Sequence, residues 1–127
     1  MVKRWLILTA LVLGLDQAIK FLIISQKADY VVNQGIAWGL GKELNWQLVI
    51  ILLLVGLMIW SKWVWPSALV IGGGLGNLID RLTRGGVIDY INWLFLPSFN
   101  MADVMITTGA IIWIIKEFYG TKSDIRR

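Results

Sequence analysis

Residues 44–81 read LNWQLVIILLLVGLMIWSKWVWPSALVIGGGLGNLIDR, and this stretch decides the fold. No charge interrupts it from Leu44 to Ser61 or from Trp63 to Ile79; Lys62 stands between the two runs, and Asp80 and Arg81 close the second. About 20 apolar residues cross a bilayer as a helix, so the stretch is predicted to be a helical hairpin turning at Lys62. Working outward, a run from Trp5 to Ile24 precedes it, broken by Asp16, Gln17 and Lys20. A further run begins near Asn100, passes Asp103 and stays uncharged to Ile115. The chain therefore reads as one integral membrane domain over 1–127, an all-α polytopic membrane protein with four transmembrane helices. The spans are expected at about 5–24, 44–61, 63–82 and 100–118, with outer loops at 25–43 and 83–99. The first outer loop, with Val31, Val32 and the stretch from Asn33 to Gly41, is expected to form short strands along the interface.

Composition agrees. Of 127 residues, 57% are apolar and 16% charged, with a mean hydropathy of +0.71. A soluble domain carries roughly 45–50% apolar and about 25% charged residues. A soluble chain this short could not bury the excess, so it must face lipid. The absence of Cys removes disulfides, thiolate nucleophiles and sulfur-ligated metals. The absence of His removes Ser-His-Asp triads, zinc-His sites and imidazole shuttles. No metal or cofactor is expected. The net charge of +4 sits at chain ends and turns, without the stacking aromatics of a nucleic-acid surface, so no nucleic-acid partner is expected.

With the N-terminus inside, the cytoplasmic side holds Lys3, Arg4, Lys62, Lys116, Lys122, Arg126 and Arg127, against Lys27, Lys42, Arg81 and Arg84 outside. Seven against four favours an N-in, C-in topology. Trp5, Trp46, Trp60, Trp63, Trp65 and Trp93 fall near predicted helix ends, where an indole suits the headgroup level. The first run is expected to remain as a helix rather than be cleaved as a leader. No small-x-small site follows it, and Asp16, Gln17 and Lys20 are out of place in a leader's apolar core.

Ionisable residues inside a bilayer are costly, so each needs a reason. Asp16 lies about 16 Å along the first helix, at or just past mid-bilayer. In this topology Asn77, Asp80 and Arg81 end the third helix at the outer face, Asn100 and Asp103 begin the fourth there, and Asp89 lies in the connection between them. Bland readings exist. Asp16 and Lys20, spaced i,i+4, can neutralise each other. Asp80 and Arg81 can mark the helix end, and Asp103 can be a favourable partner of a helix dipole. Gly72, Gly73, Gly74 and Gly76 signify close helix packing; no strand precedes them and no GK[ST] follows, so they are no phosphate loop. Asn77 with Asp80, and Asn100 with Asp103 and Thr107, share helix faces. Amides beside carboxylates can hold a buried polar site without unsatisfied groups.

Asp89 and Asp103, with Pro97 and Ser98 between them, can face each other across a shallow site. Two close carboxylates share a proton, so one can take a proton from water while the other donates to a carbonyl oxygen. That is aspartyl proteolysis, one option among several on spacing alone. A Ser61–Lys62 dyad stays formally open, although it lies at the opposite turn.

Five blocks in order add a family resemblance over nearly the whole chain. Asp16-Gln17 with Lys20 is similar to DQxxK, and Asn33-Gln34-Gly35-Ile36-Ala37-Trp38 to N-x-G-x-A-F. The run from Gly73 through Asn77 to Asp80-Arg81 resembles GGxxGNxxDR. Val87-Ile88-Asp89-Tyr90 looks like V-x-D-F, and Phe99-Asn100-Met101-Ala102-Asp103 like F-N-x-A-D. Together they resemble the lipoprotein signal peptidases, signal peptidase II. Trp38 and Tyr90 stand where the family usually has Phe.

The resemblance implies that Asp89 and Asp103 are the catalytic pair. It implies that Asp16, Asn33, Asn77, Asp80, Arg81 and Asn100 support the site or contact substrate. The substrate would be a prolipoprotein whose Cys carries a diacylglyceryl group, cut just before that Cys. It further implies a monomeric enzyme among the lipids of the bacterial inner membrane, sensitive to globomycin, with its site towards the outer leaflet. A diacylglyceryl anchor would hold the scissile bond at that surface. Two other readings remain. A small four-helix proton-coupled multidrug transporter would use Asp16 as proton carrier, and a non-catalytic assembly or lipid-binding subunit would tolerate asparagine at both positions.

Overall fold

The computed structural model of the protein describes residues 2–35, 46–60 and 63–124. Four helices account for most of them. They are α1 (Val2–Ser25), α2 (Trp46–Trp60), α3 (Val64–Arg84) and α4 (Met101–Asp124). At 1.5 Å per residue, α1 and α4 each reach about 36 Å, longer than the roughly 30 Å hydrocarbon core of a bilayer. Among the described residues, one helical segment, Arg4–Ser25, is long and apolar enough to cross a membrane by composition, with a mean hydropathy of 2.0. Trp38, Lys42, Ser61, Lys62, Arg126 and Arg127 lie outside the described residues, as does the part of the expected strand region beyond Gly35.

α3 is the central helix, packed mainly between α1 and α4, with α2 more lightly against it. Its buried face runs from Pro66 and Ser67 through Gly72, Gly73, Gly74 and Gly76 to Asn77 and Asp80. Pro66 sits in the first turn, where a missing N–H costs no helical hydrogen bond. The glycines permit close approach. A Cβ at Gly76 would run into the Asp16 carboxylate, and one at Gly73 would lie 2.7 Å from the Ala102 carbonyl oxygen. α1 therefore lies against one side of α3 and α4 against another, nearly backbone to side chain.

Polarity is inverted relative to a soluble bundle. Leu11, Leu15 and Phe21 on α1, Leu52, Leu53 and Ile59 on α2, and Ile111, Ile115 and Phe118 on α4 are exposed. Asp16, Lys20, Asn77, Asp80 and Asn100 are buried. An apolar exterior around a polar interior is what lipid selects, because charged groups there must find partners within the bundle.

The α1–α2 and α3–α4 connections both contribute to a small sheet. β1 (Val31–Asn33) and β2 (Val87–Asp89) pair antiparallel, with Val31 opposite Asp89 and Asn33 opposite Val87. The expectation of strands in the first outer loop holds for β1, but its partner comes from the second loop. α1 ends with Lys27 in the left-handed region (φ 54°), and Lys27 N and Ala28 N donate to the carbonyls of Ile24 and Ile23. This Schellman arrangement turns the chain towards β1. α3 ends at Gly85, also left-handed (φ 75°), which lets the chain turn directly into β2.

Candidate active site

Asn100 caps α4. Its Oδ1 accepts from Asp103 N at 3.0 Å, while its own backbone N donates to Asp103 Oδ2 at 3.1 Å. This reciprocal pair is a capping box with Asn and Asp in place of the usual Ser or Thr and Glu. One carboxylate oxygen of Asp103 thus serves the helix. The other, Oδ1, accepts from Asn77 Nδ2 at 3.0 Å. The dipole-partner reading of Asp103 is correct for half of the side chain and does not exhaust it.

Asp89 ends β2, and β2 is fixed to α3 because Ile88 N donates to Asp80 Oδ2 at 3.1 Å. Asp89 Oδ2 accepts from Asn33 Nδ2 at 3.1 Å across the sheet, and Oδ1 accepts from Asn100 Nδ2 at 2.9 Å. Asn33 is itself held by Gly35 N, which donates to its Oδ1 at 3.0 Å. Burial pushes the Asp89 carboxyl up to about 6; the negative charge of Asp103 adds to the rise, and the hydrogen bonds from Asn33 and Asn100 oppose it. Asn100 therefore contacts both aspartates at once.

Beneath this pair lies a charged cluster. Lys20 Nζ makes ion pairs with Asp16 Oδ2 at 2.8 Å and with Asp80 Oδ2 at 2.7 Å, and all three side chains are 0% exposed. Asp80 Oδ1 also pairs with Arg84 and accepts from Gln17 Nε2 at 3.2 Å. Arg84 in turn donates to Gln17 Oε1 at 3.0 Å. Lys20 further donates to Asn77 Oδ1 at 3.1 Å, which also accepts from Asn100 Nδ2 at 3.0 Å. Asn77 is thus the junction between the charged cluster and the aspartate pair.

Arg81 Nη1 donates to the Asn77 carbonyl at 3.1 Å, and its charge faces Asp103, Asp89 and Asp80. With Asn33, Asn77, Asp89 and Asp103 it lines a cavity of about 590 Å³. Ile51 and Leu54 of α2, Val87, Phe99, and Ile106 and Thr107 of α4 supply most of the remaining wall. A mostly apolar cavity with a few converging polar groups is the usual form of a ligand site.

All eight sequence-derived candidates lie in this network. Asn33, Asn77, Asp89, Asn100 and Asp103 form the upper part, Asp16 and Asp80 the charged base, and Arg81 the wall. The i,i+4 pairing of Asp16 and Lys20 exists, yet it is half of the role of Lys20. Arg84 and Tyr90 join the network in addition to these eight. Arg84 was detectable from its i,i+4 spacing to Asp80. Tyr90, whose hydroxyl accepts from Met101 N at 3.2 Å, carries no spacing signal for that bond.

Comparison with known proteins shows the family and the fold. The sequence profile of the family described as Signal peptidase (SPase) II matches residues 8–119. A lipoprotein signal peptidase of Xylella fastidiosa (strain M12) is 34% identical, over 84% of this chain and 83% of the relative. One from Xanthomonas axonopodis pv. citri (strain 306) is 39% identical, over 84% and 81%. Two solved structures, each of a bacterial membrane enzyme and 24% identical, share the fold. Their TM-scores are 0.76 and 0.74, covering 98% and 94% of this chain and 92% and 94% of theirs. The chain belongs to the signal peptidase II family of proteases.

Proposed function

We propose that Asp89 and Asp103 are the catalytic pair with which this peptidase removes the signal peptide of a prolipoprotein. The observation that carries the assignment is that Asn100 joins both carboxylates at the wall of one cavity. Asp89, with its carboxyl raised to about 6, carries the shared proton and gives it to the scissile carbonyl oxygen. Asp103 takes a proton from the attacking water. Asn33, Asn77 and Asn100 hold the pair in register, and Arg81 supplies a donor for the substrate backbone. Asp16, Lys20 and Asp80 form the base that sets the spacing of α1 and α3.

In this reading all four helices span the bilayer, N-in and C-in, and the site opens to the outer leaflet of a bacterial inner membrane. The substrate is a diacylglyceryl-modified prolipoprotein, cut before the lipidated Cys and anchored by its lipid at the level of the aspartates. The apolar wall from α2 and α4 receives the signal peptide. Monomers suffice, because both aspartates come from one chain. A proton-coupled transporter would spread its acids along a path through the bundle, whereas here the buried aspartates Asp16, Asp80 and Asp89 join one network with Asp103.

The test is cleavage of lipidated prolipoprotein by the purified protein in detergent, followed by gel shift with and without globomycin. Globomycin-blocked cleavage is expected, with unlipidated precursor cut poorly. Equal rates on the two precursors would refute the role given to the anchor.

A further inference from the structure

Between β2 and α4 the chain makes a hairpin that neither the sheet nor the aspartate pair requires. Its stem is closed by Ile91 N donating to Phe99 O at 2.8 Å and Phe99 N to Ile91 O at 3.0 Å. Its tip turns through Leu96 N donating to Trp93 O at 3.0 Å. The tip side chains have no shelter: Trp93 is 62% exposed, Leu94 82%, Phe95 99% and Leu96 62%. No charged residue occurs from Tyr90 to Ala102. Leu94 has φ 49°, a conformation that suits Gly, Asn or Asp and that a water-facing turn would normally fill with one of them. A leucine there accepts a backbone cost and adds apolar surface.

We propose that the 93–97 tip is a membrane-inserting wedge whose occupant is the acyl layer of the outer leaflet. This rests on the outer-leaflet placement given above. Three observations favour lipid over a protein partner or a second copy. The tip lies at the end of the protein from which α4 begins, and like the outer faces of the helices it exposes large apolar side chains. A tryptophan beside Leu and Phe matches the order of headgroup level and acyl layer. Behind the tip, Leu96, Pro97, Ser98 and Phe99 line the cavity that holds Asp89 and Asp103. Leu96 and Pro97 therefore belong both to the exposed tip and to the cavity wall. The wedge holds the cavity mouth inside the acyl layer, and a lipid-anchored substrate reaches the aspartates without leaving the membrane.

The chain has no Cys, so one label can be placed cleanly. Phe95→Cys, labelled with an environment-sensitive fluorophore, is examined in nanodiscs of phosphatidylethanolamine and phosphatidylglycerol, with Asp29→Cys as the control position. Severalfold stronger quenching by nitroxide-bearing lipid at position 95 than at 29, with protection from aqueous iodide, is expected. Iodide quenching equal to that at position 29 overturns the wedge. Efficient disulfide cross-linking between unlabelled Phe95→Cys copies also overturns it, in favour of a second copy. A Leu94→Asn/Phe95→Ser variant keeps the turn chemistry while removing the apolar surface. Its cleavage of lipidated precursor should fall about tenfold in nanodiscs and change little in detergent. Equal loss in both media would make the tip part of the cavity wall only. If lipidated precursor is not a substrate at all, the functional reading fails while the quenching result still decides the wedge.

Discussion

The Lys20 ammonium, itself fully buried, donates to Asn77 Oδ1 at 3.1 Å beneath the cavity wall. Because Asn100 Nδ2 donates to the same oxygen, the Asn77 carboxamide has one orientation, with its Nδ2 aimed at Asp103. A charge on α1 thereby fixes a hydrogen bond at the aspartate pair.

Lys20→Met removes the cation shared by Asp16 and Asp80 and should destabilise the protein by roughly 3–5 kcal/mol, as breaking buried ion pairs does. Adding Asp16→Asn should recover part of that loss, because one uncompensated charge disappears. Thermal unfolding in detergent measures both. A single variant as stable as the parent would contradict the charge assignment.

The pH dependence of cleavage follows from Asp89. Its carboxyl titrates near 6, and the protonated form is the proposed acid, so kcat/KM should fall as pH rises through about 6. Asn33 donates to the ionised form and holds the pKa down. Asn33→Ala should therefore move the falling limb to higher pH. A rate that rises through pH 6 would reverse the roles of the two aspartates.

Stability carries the same signature. The folded pKa of Asp89 lies above its ordinary 3.8, so ionised Asp89 opposes folding above about pH 6, and the cost is relieved as pH falls through 6 towards 3.8. Asp89→Asn has no such titration. Relative to the parent it should gain on the order of 1 kcal/mol between pH 5 and pH 8. Chemical unfolding at the two pH values gives the difference. No change in the gap would place Asp89 in a solvated site.

Two glycines on different helices separate packing from propensity. Gly76→Ala drives a methyl into the Asp16 carboxylate and should cost about 1–3 kcal/mol. Gly14→Ala meets nothing within 4 Å and should gain roughly 0.5–1 kcal/mol. Their melting temperatures should move in opposite directions.

The helical segments were legible because long uncharged runs leave few alternatives, and the grouping of acids followed from where those runs begin and end. The pairing of β1 with β2 was not. Strands of three residues carry too little alternation to reveal themselves, and Val31–Asn33 and Val87–Asp89 lie 56 positions apart. The i,i+3 spacing of Asn100 and Asp103 put them on one face, but could not show that one oxygen of Asp103 caps α4 while the other meets Asn77. The spacing of Asp16 and Lys20 likewise hid the bonds from Lys20 to Asp80 and Asn77, which come from another helix.

The most direct measurement is single-turnover cleavage of a diacylglyceryl prolipoprotein by the purified parent, Asp89→Asn and Asp103→Asn, with thermal unfolding recorded for each. Both variants should remain folded and lose about a thousandfold in rate, as expected when an acid or base of the reaction is removed. A folded Asp89→Asn or Asp103→Asn protein that cleaves at the parent's rate would contradict the assignment of the catalytic pair.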